Sequence, residues 1–179
     1  MSPIFSTTGL ALVCASIVLT VSASDQNQHR HSPYAGQEAQ EIKSLSPKEM
    51  DEYLTGAGMG LAKAAELNHY PGPRHVIELE NRLQLSTEQL TRIKAVHDKM
   101  SKRAVELGEQ IVRKEEALDK LFSTRQISTV QLEALTSEIA ALQGSLRATH
   151  LQAHLETAEI LTRLQIERYS QLRGYDFGH

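Results

Sequence analysis

Two long amphipathic segments separated by a short connection constrain the fold of this chain more than any other feature. Apolar side chains recur in steps of three and four over residues 90–121 and again over residues 132–164, which is the period of an α-helix with one buried face. The connection, at residues 123–127, is so short that the second helix must return antiparallel to the first. Strand signals are absent from the sequence. The sequence therefore predicts an all-α fold built on a long antiparallel α-hairpin with shorter flanking helices.

Capping boxes mark where these helices begin. Ser or Thr, followed three residues later by Glu or Gln, lets the two residues exchange side-chain and backbone hydrogen bonds at a helix start. This pattern occurs at Ser46, Ser86 and Ser128. Pro47 occupies the first helical position after Ser46, a placement that proline favours. We expect the first of these helices to run to about residue 67.

Glycines and prolines interrupt the chain before the hairpin. The Gly-Ala-Gly-Met-Gly segment at residues 56–60 superficially resembles a phosphate-binding loop, but no strand precedes it and no Lys-Ser/Thr pair follows it. We expect these glycines to allow close approach by another helix, or to form a kink. The Pro-Gly-Pro segment at residues 71–73 must end the helix, and a short helix over about residues 74–83 is expected after it.

The first 23 residues have the pattern of a signal peptide. An apolar run at residues 9–21, too short to span a bilayer comfortably, precedes Val21-Ser22-Ala23, a small-residue cleavage pattern. No Lys or Arg precedes the run, which is atypical. Cleavage after Ala23 would remove Cys14, the one cysteine, and a thiol-free mature chain suits the oxidising periplasm. We expect an exported periplasmic protein with no permanent membrane anchor.

The remainder divides by composition. Residues 24–45 are polar and predict a flexible arm, residues 46–175 form the helical domain, and residues 176–179 are a tail. The formal net charge of −3 offers no dense basic stripe, so nucleic acid is not an expected partner. Neither a nucleophile elbow nor an H-E-x-x-H motif is present, and we expect no enzymatic activity.

Two copies of an L-[ST]-x-x-Q pattern carry a resemblance to a known family. They begin at Leu85 and Leu161, and over residues 46–175 the chain resembles the Spy/CpxP family, whose members carry paired LTxxQ motifs. Each copy is a capping box, so its residues carry fold rather than chemistry. Arg163 stands where the family often has proline, which leaves open whether the last helix breaks there. The motif residues are Leu85, Ser86, Gln89, Leu161, Thr162 and Gln165.

The resemblance implies a cradle-shaped, all-helical periplasmic dimer. Such a protein either shields unfolding proteins without ATP or takes part in envelope-stress and metal sensing, so its partners would be a second copy and either unfolded periplasmic proteins or a sensor kinase. Apolar positions beyond the hairpin seam also favour a second chain or a client; they are Val105, Val112, Leu151 and Leu155.

Family chaperones bind clients on a concave surface of mixed charged and apolar character. The alternative for the corresponding residues here is that they form an ordinary solvated helix face. Lys94 and Lys102 lie on the same helix. The client-binding candidates are Arg92, Val96, Lys99, Met100 and Arg103.

Histidines give the second functional hypothesis. His150 and His154 are one helical turn apart, and a hairpin folded at residues 125–126 places His97 opposite His154, so three imidazoles would converge as a zinc site requires. No cofactor is required for the chaperone function, and zinc is the candidate ion for this trio. The alternative is that His97 and His150 are tolerated seam residues and His154 is exposed. His29 and His31 in the polar arm form a weaker candidate pair.

Overall fold

The computed structural model describes residues 32–175, and these form helices and no strands, which confirms the predicted all-α fold. The predicted signal peptide, the His29/His31 pair and the 176–179 tail lie outside the described residues. A compact unit begins at Gly36. After one turn of 3-10 helix at Gln37–Ala39, the α-helices are α1 Pro47–Leu54, α2 Lys63–Glu66, α3 Pro73–Glu78, α4 Glu80–Leu83, α5 Thr87–Ser123, α6 Thr129–Ile160 and α7 Arg163–Arg173.

Helices α5 and α6 form the predicted antiparallel hairpin. Their interface buries Ile139 and a cluster of four residues, Ala104, Leu107, Ile111 and Leu146. Ion pairs cross between the helices at two levels, Lys114 Nζ to Glu138 Oε2 at 2.6 Å and Lys99 Nζ to Glu156 Oε1 at 3.1 Å. Among residues 32–175, no helix is long and apolar enough to cross a membrane.

Helices α3, α4 and α7 cover the end of the hairpin away from its turn. A second core cluster forms there, where α3, α4 and α7 meet α5 and the end of α6, and consists of Val76, Leu83, Ile93, Leu161 and Tyr169. The helix predicted over residues 74–83 is two helices, α3 and α4, because the backbone of Leu79 leaves the helical region at φ −102° and ψ 13°.

The first predicted helix ends earlier than expected. We predicted a helix to about residue 67, but α1 ends at Leu54 and the chain turns at Gly56, whose φ is +66°. A Cβ at Gly56 would lie 3.1 Å from both the backbone nitrogen and Cγ2 of Val105. Glycine is therefore needed for both conformation and close approach. This turn also packs on Val105 within the same chain, without need of a second chain or a client.

Part of the predicted flexible arm packs on the hairpin. Ile42 and Leu45 are buried, the Lys43 N–H donates to Asp119 Oδ1 at 3.3 Å, and Ser44 Oγ donates to Glu115 Oε2 at 2.7 Å. Two apolar side chains three residues apart are enough to anchor this otherwise polar segment. The described structure thus packs against α5 from about Ile42, before the predicted start at Ser46.

Alanine substitutions at two glycines inside the long helices, Gly108 in α5 and Gly144 in α6, test the packing of α1 on α5. A Cβ at Gly108 would overlap the Tyr53 carbonyl oxygen, whereas a Cβ at Gly144 would meet nothing within 4 Å. We expect Gly144→Ala to raise the free energy of unfolding by about 0.5–1 kcal/mol through helix propensity. Gly108→Ala should instead lower it by about 1–3 kcal/mol, because α1 must move away. Urea denaturation measures both, and equal effects of the two substitutions would contradict the described packing.

Candidate functional site

Both L-[ST]-x-x-Q motifs start helices as complete capping boxes. At the start of α5, Ser86 Oγ accepts from the Gln89 N–H at 3.1 Å, and Gln89 Oε1 accepts from the Ser86 N–H at 3.1 Å. Thr162 and Gln165 repeat this exchange at 3.3 and 2.9 Å. The final helical stretch therefore breaks: α6 ends at Ile160, and Leu161 is extended. Arg163 can stand in place of proline, because the capping box of Thr162 and Gln165 starts α7 by itself.

The two motif glutamines also bind each other. Gln89 Nε2 donates to Gln165 Oε1 at 2.8 Å, and Gln165 Nε2 donates to Gln89 Oε1 at 3.1 Å. Their second amide hydrogens go to carbonyls at helix ends, from Gln89 to Ile160 at the end of α6 at 3.0 Å and from Gln165 to Leu83 at the end of α4 at 3.3 Å. Each amide thus caps one helix start and one helix end. Only an amide has the donors and the acceptor that this requires.

The motif leucines fix the same junction through packing. Leu161 is buried in the core cluster with Ile93 and Tyr169, and Leu85 is partly buried against that cluster. An apolar residue just before an N-cap commonly fixes the angle at which the chain enters the helix. The paired motifs therefore hold α5, α6 and α7 in one arrangement, on which the surfaces described next depend.

A groove of about 330 Å³ lies between α5 and α6, and we name it the client groove after the client-binding residues predicted on its α5 side. Its α5 side consists of four of the five predicted client-binding residues, and Arg92, the fifth, is exposed outside it. Lys99 and Glu156 pair across the rim, where the Lys99 side chain remains 74% exposed. The lining is Val96, Lys99, Met100, Arg103, Ala148, Thr149, Gln152, Ala153 and Glu156.

His150 is buried in a way that leaves one nitrogen unsatisfied. The residue is 4% exposed, and its Nε2 has no hydrogen-bond partner within residues 32–175. Burial, and secondarily the nearby His154, lowers the pKa of His150 below the ordinary histidine value. His150 is therefore neutral at neutral pH, and its Nε2 is enclosed without a hydrogen-bond partner among the described residues.

His154 is buried and oriented, contrary to the alternative that it is exposed. It is 8% exposed, and its Nδ1 lies 2.7 Å from the Tyr70 carbonyl oxygen. Because a carbonyl only accepts, the hydrogen bond assigns the proton to Nδ1 in the neutral ring and leaves the lone pair on Nε2. The ring also packs on Gly72, where a Cβ would lie 3.0 Å from Nε2.

The structure does not bring His97 into a metal site with this pair. Its Nδ1 lies 3.6 Å from Asp98 Oδ1, and in the described part of the chain no group of three His, Cys, Asp or Glu side chains is placed to hold a metal ion. The register explains this: Lys99 pairs with Glu156, so His97 lies opposite residues beyond Glu156, past His154.

A partly buried carboxylate, Glu66, joins α2 to α6 and α7 and was missed by sequence reasoning. Its Oε1 accepts from the hydroxyl of Tyr169 at 2.6 Å and from that of Tyr175 at 3.1 Å, and it pairs with Arg173 Nε at 3.4 Å. Its Oε2 lies 3.7 Å from His154 Nδ1. Burial and the bond to Glu66 raise the pKa of Tyr169 far above the ordinary tyrosine value. No local pattern marks Glu66, because Tyr169 lies 103 residues away.

Comparison with known families adds one finding to this geometry. A family model described as heavy-metal resistance matches residues 54–168. That family lies in the Spy/CpxP-like clan of helical proteins, in agreement with the resemblance at the level of the clan. Comparisons with curated proteins and with solved structures found no match.

Replacing the motif glutamines by glutamate tests the amide pair. Gln89→Glu and Gln165→Glu keep the capping acceptor but remove both donors, so each should lower the free energy of unfolding by about 1–3 kcal/mol. Gln131 is the control, because it forms an exposed capping box with Ser128 and, among residues 32–175, makes no hydrogen bond to another helix. Gln131→Glu should change stability by less than about 0.5 kcal/mol. Equal urea midpoints for the three variants would contradict the paired role.

Proposed function

The chain belongs to the heavy-metal resistance family, and from this premise we propose that it captures unfolded protein segments in the client groove without ATP. The proposal rests on one observation: four residues proposed as client-binding from sequence line a single groove with α6. Proteins of the family are typically periplasmic. The proposed setting is therefore the periplasm, after removal of residues 1–23, with a homodimer as the working form and no cofactor required.

The chemistry of the groove suits clients of varied sequence. Met100 and Val96 give an apolar surface, and methionine adapts its shape to different side chains. Lys99, Arg103 and Glu156 give the rim both signs of charge. Since Lys99 is mostly exposed, its ion pair with Glu156 is worth less than about 1 kcal/mol and can exchange for a client charge at little cost.

Weakening the apolar surface of the groove tests the proposal. Val96→Ser and Met100→Ser should each raise the concentration of protein that halves aggregation of a reduced client by about threefold or more, because each removes apolar contact area. Val130→Ser is the matched control, since Val130 is 77% exposed and outside the groove. Light scattering measures suppression, and circular dichroism verifies the fold.

The parent protein and the control should suppress aggregation equally. If the folded parent does not suppress it, or if Val96→Ser and Val130→Ser act alike, the client groove has no such function.

Metal binding at His150 and His154 is a second candidate function. The specific observation is the unpartnered, buried Nε2 of His150 beside the oriented ring of His154. A hydrogen bond from Nδ1 to a backbone carbonyl is the usual means of orienting a histidine whose Nε2 ligates a metal. Two imidazoles suit zinc but leave further coordination positions for water or a ligand from another molecule.

Zinc titration at several pH values tests this site. The His150→Ala/His154→Ala double variant should bind zinc at least about tenfold more weakly than the parent, while His75→Ala, in α3, should bind as the parent does. A proton competes with the metal only below the histidine pKa, which is lowered at His150. The contribution of His150 to zinc affinity should thus persist to a pH below the usual histidine value of about 6.5 before protonation removes it. Unchanged zinc affinity in the double variant by calorimetry would exclude the pair.

A further inference from the structure

We propose that a second groove, between α2 and α6, binds long-chain carboxylates such as free fatty acids. This α2–α6 groove has a volume of about 490 Å³, within the roughly 300–1,000 Å³ typical of small-molecule sites. It shares no lining residue with the client groove, so the two proposed sites can be tested independently. Its lining is Met59, Gly60, Leu61, Lys63, Ala64, Leu67, Asn68 and Arg147.

The turn before α2 shapes the groove. Met59 and Gly60 both have positive φ, 47° and 72°, and they lead the chain into α2, whose Leu67 remains 52% exposed. Leu61 is partly buried against the hairpin core, while Leu67 is open to solvent. Together with Met59, these two leucines give the groove a continuous apolar surface suited to an alkyl chain.

The unpaired positive charge of the α2–α6 groove distinguishes it from the client groove and from a third groove near the hairpin turn. Lys63 and Arg147 line it without any carboxylate, and no ion pair joins either to another residue of the described chain. By contrast, the client groove holds the Lys99–Glu156 pair, and the groove near the hairpin turn, about 450 Å³ in volume, holds the Lys114–Glu138 pair. The α2–α6 groove alone among these three therefore has two cations whose charge no lining residue neutralises.

Glu66, the carboxylate nearest in sequence to Lys63, does not neutralise it. Its Oε1 is bound by Tyr169, Tyr175 and Arg173, and its Oε2 faces His154. The positive charge at the groove is consequently available to a ligand.

A carboxylate with one alkyl chain complements this arrangement. The guanidinium of Arg147 has the planar donor geometry that binds a carboxylate through two hydrogen bonds, and Lys63 adds a mobile point charge. The alkyl chain would lie on Met59, Leu61 and Leu67. An amphiphile with a cationic head would meet two like charges, and one with a neutral head would gain no ion pair.

Calorimetry with the chain from Ser24 onward and laurate below its micelle concentration tests the proposal. Laurate should bind, and dodecyltrimethylammonium, which has the same chain length, should not. Arg147→Gln and Lys63→Gln should each weaken laurate binding about tenfold, the loss of one charge-assisted interaction. Lys120→Gln is the matched control in the groove near the hairpin turn and should bind laurate as the parent does.

Thermal melting by circular dichroism confirms that the variants fold, as expected for exposed side chains without ion pairs. Equal binding of the cationic amphiphile, unchanged affinity in both groove variants, or binding of an acidic leucine-containing peptide in place of laurate would overturn the assignment. Because Val96 and Met100 lie outside this groove, a loss of laurate binding is distinguishable from a loss of client binding.

Discussion

The reciprocal amide pair of Gln89 and Gln165 is the interaction on which the arrangement of the long helices depends. A helix end leaves carbonyl groups without intrahelical partners, and a helix start leaves amides in the same state. Here two glutamines satisfy groups at two starts and two ends, through bonds to Leu83 and Ile160 as well as to their own caps. The hydrogen bonds of the two glutamines therefore determine the helix break at Leu161. They hold α7 against α5 and α4, so that α7 does not continue α6.

The carboxylate of Glu66 extends this arrangement to α2. A carboxylate removed from water costs free energy unless its oxygens are bonded, and truncating one partner of such a group is expensive. Two tyrosine hydroxyls donate to Oε1 and one guanidinium forms an ion pair with it, while Oε2 faces His154. Since the Glu66 side chain is only 14% exposed, leaving its carboxylate without these partners is costly, which favours this one arrangement. It fixes the position of α2 and, through it, the wall of the α2–α6 groove.

The sequence predicted what depends on local chemistry. The helix starts at Pro47, Thr87 and Thr129 follow from capping boxes and are confirmed, and the hairpin follows from apolar periodicity and a short connection. The end of α1 could not be predicted, since Gly56 turns the chain to meet Val105 on a distant helix. The role of Gly108 could not be predicted for the same reason. Its lack of a side chain leaves room for the Tyr53 carbonyl, a contact that depends on tertiary packing alone.

The candidate sites also divide into parts that local sequence indicates and parts that depend on tertiary packing. The α5 half of the client groove was predicted from the family resemblance, which directed attention to charged and apolar residues on one helix. Its α6 half depends on the hairpin register. That register also separates His97 from His150 and His154. Glu66 could not be recognised from sequence, because its partners lie in α6, in α7 and just beyond α7.

This helical protein of the heavy-metal resistance family presents, between α5 and α6, the groove that we propose for client capture. The groove joins two segments far apart in sequence, so a client bound there must cover both at once. Hydrogen exchange with and without a reduced, unfolded client measures this directly, because binding slows exchange where it closes local openings. The account predicts protection in both residues 96–103 and residues 148–156, with little change near Val130. Protection at the hairpin turn, or in one segment without the other, would contradict it.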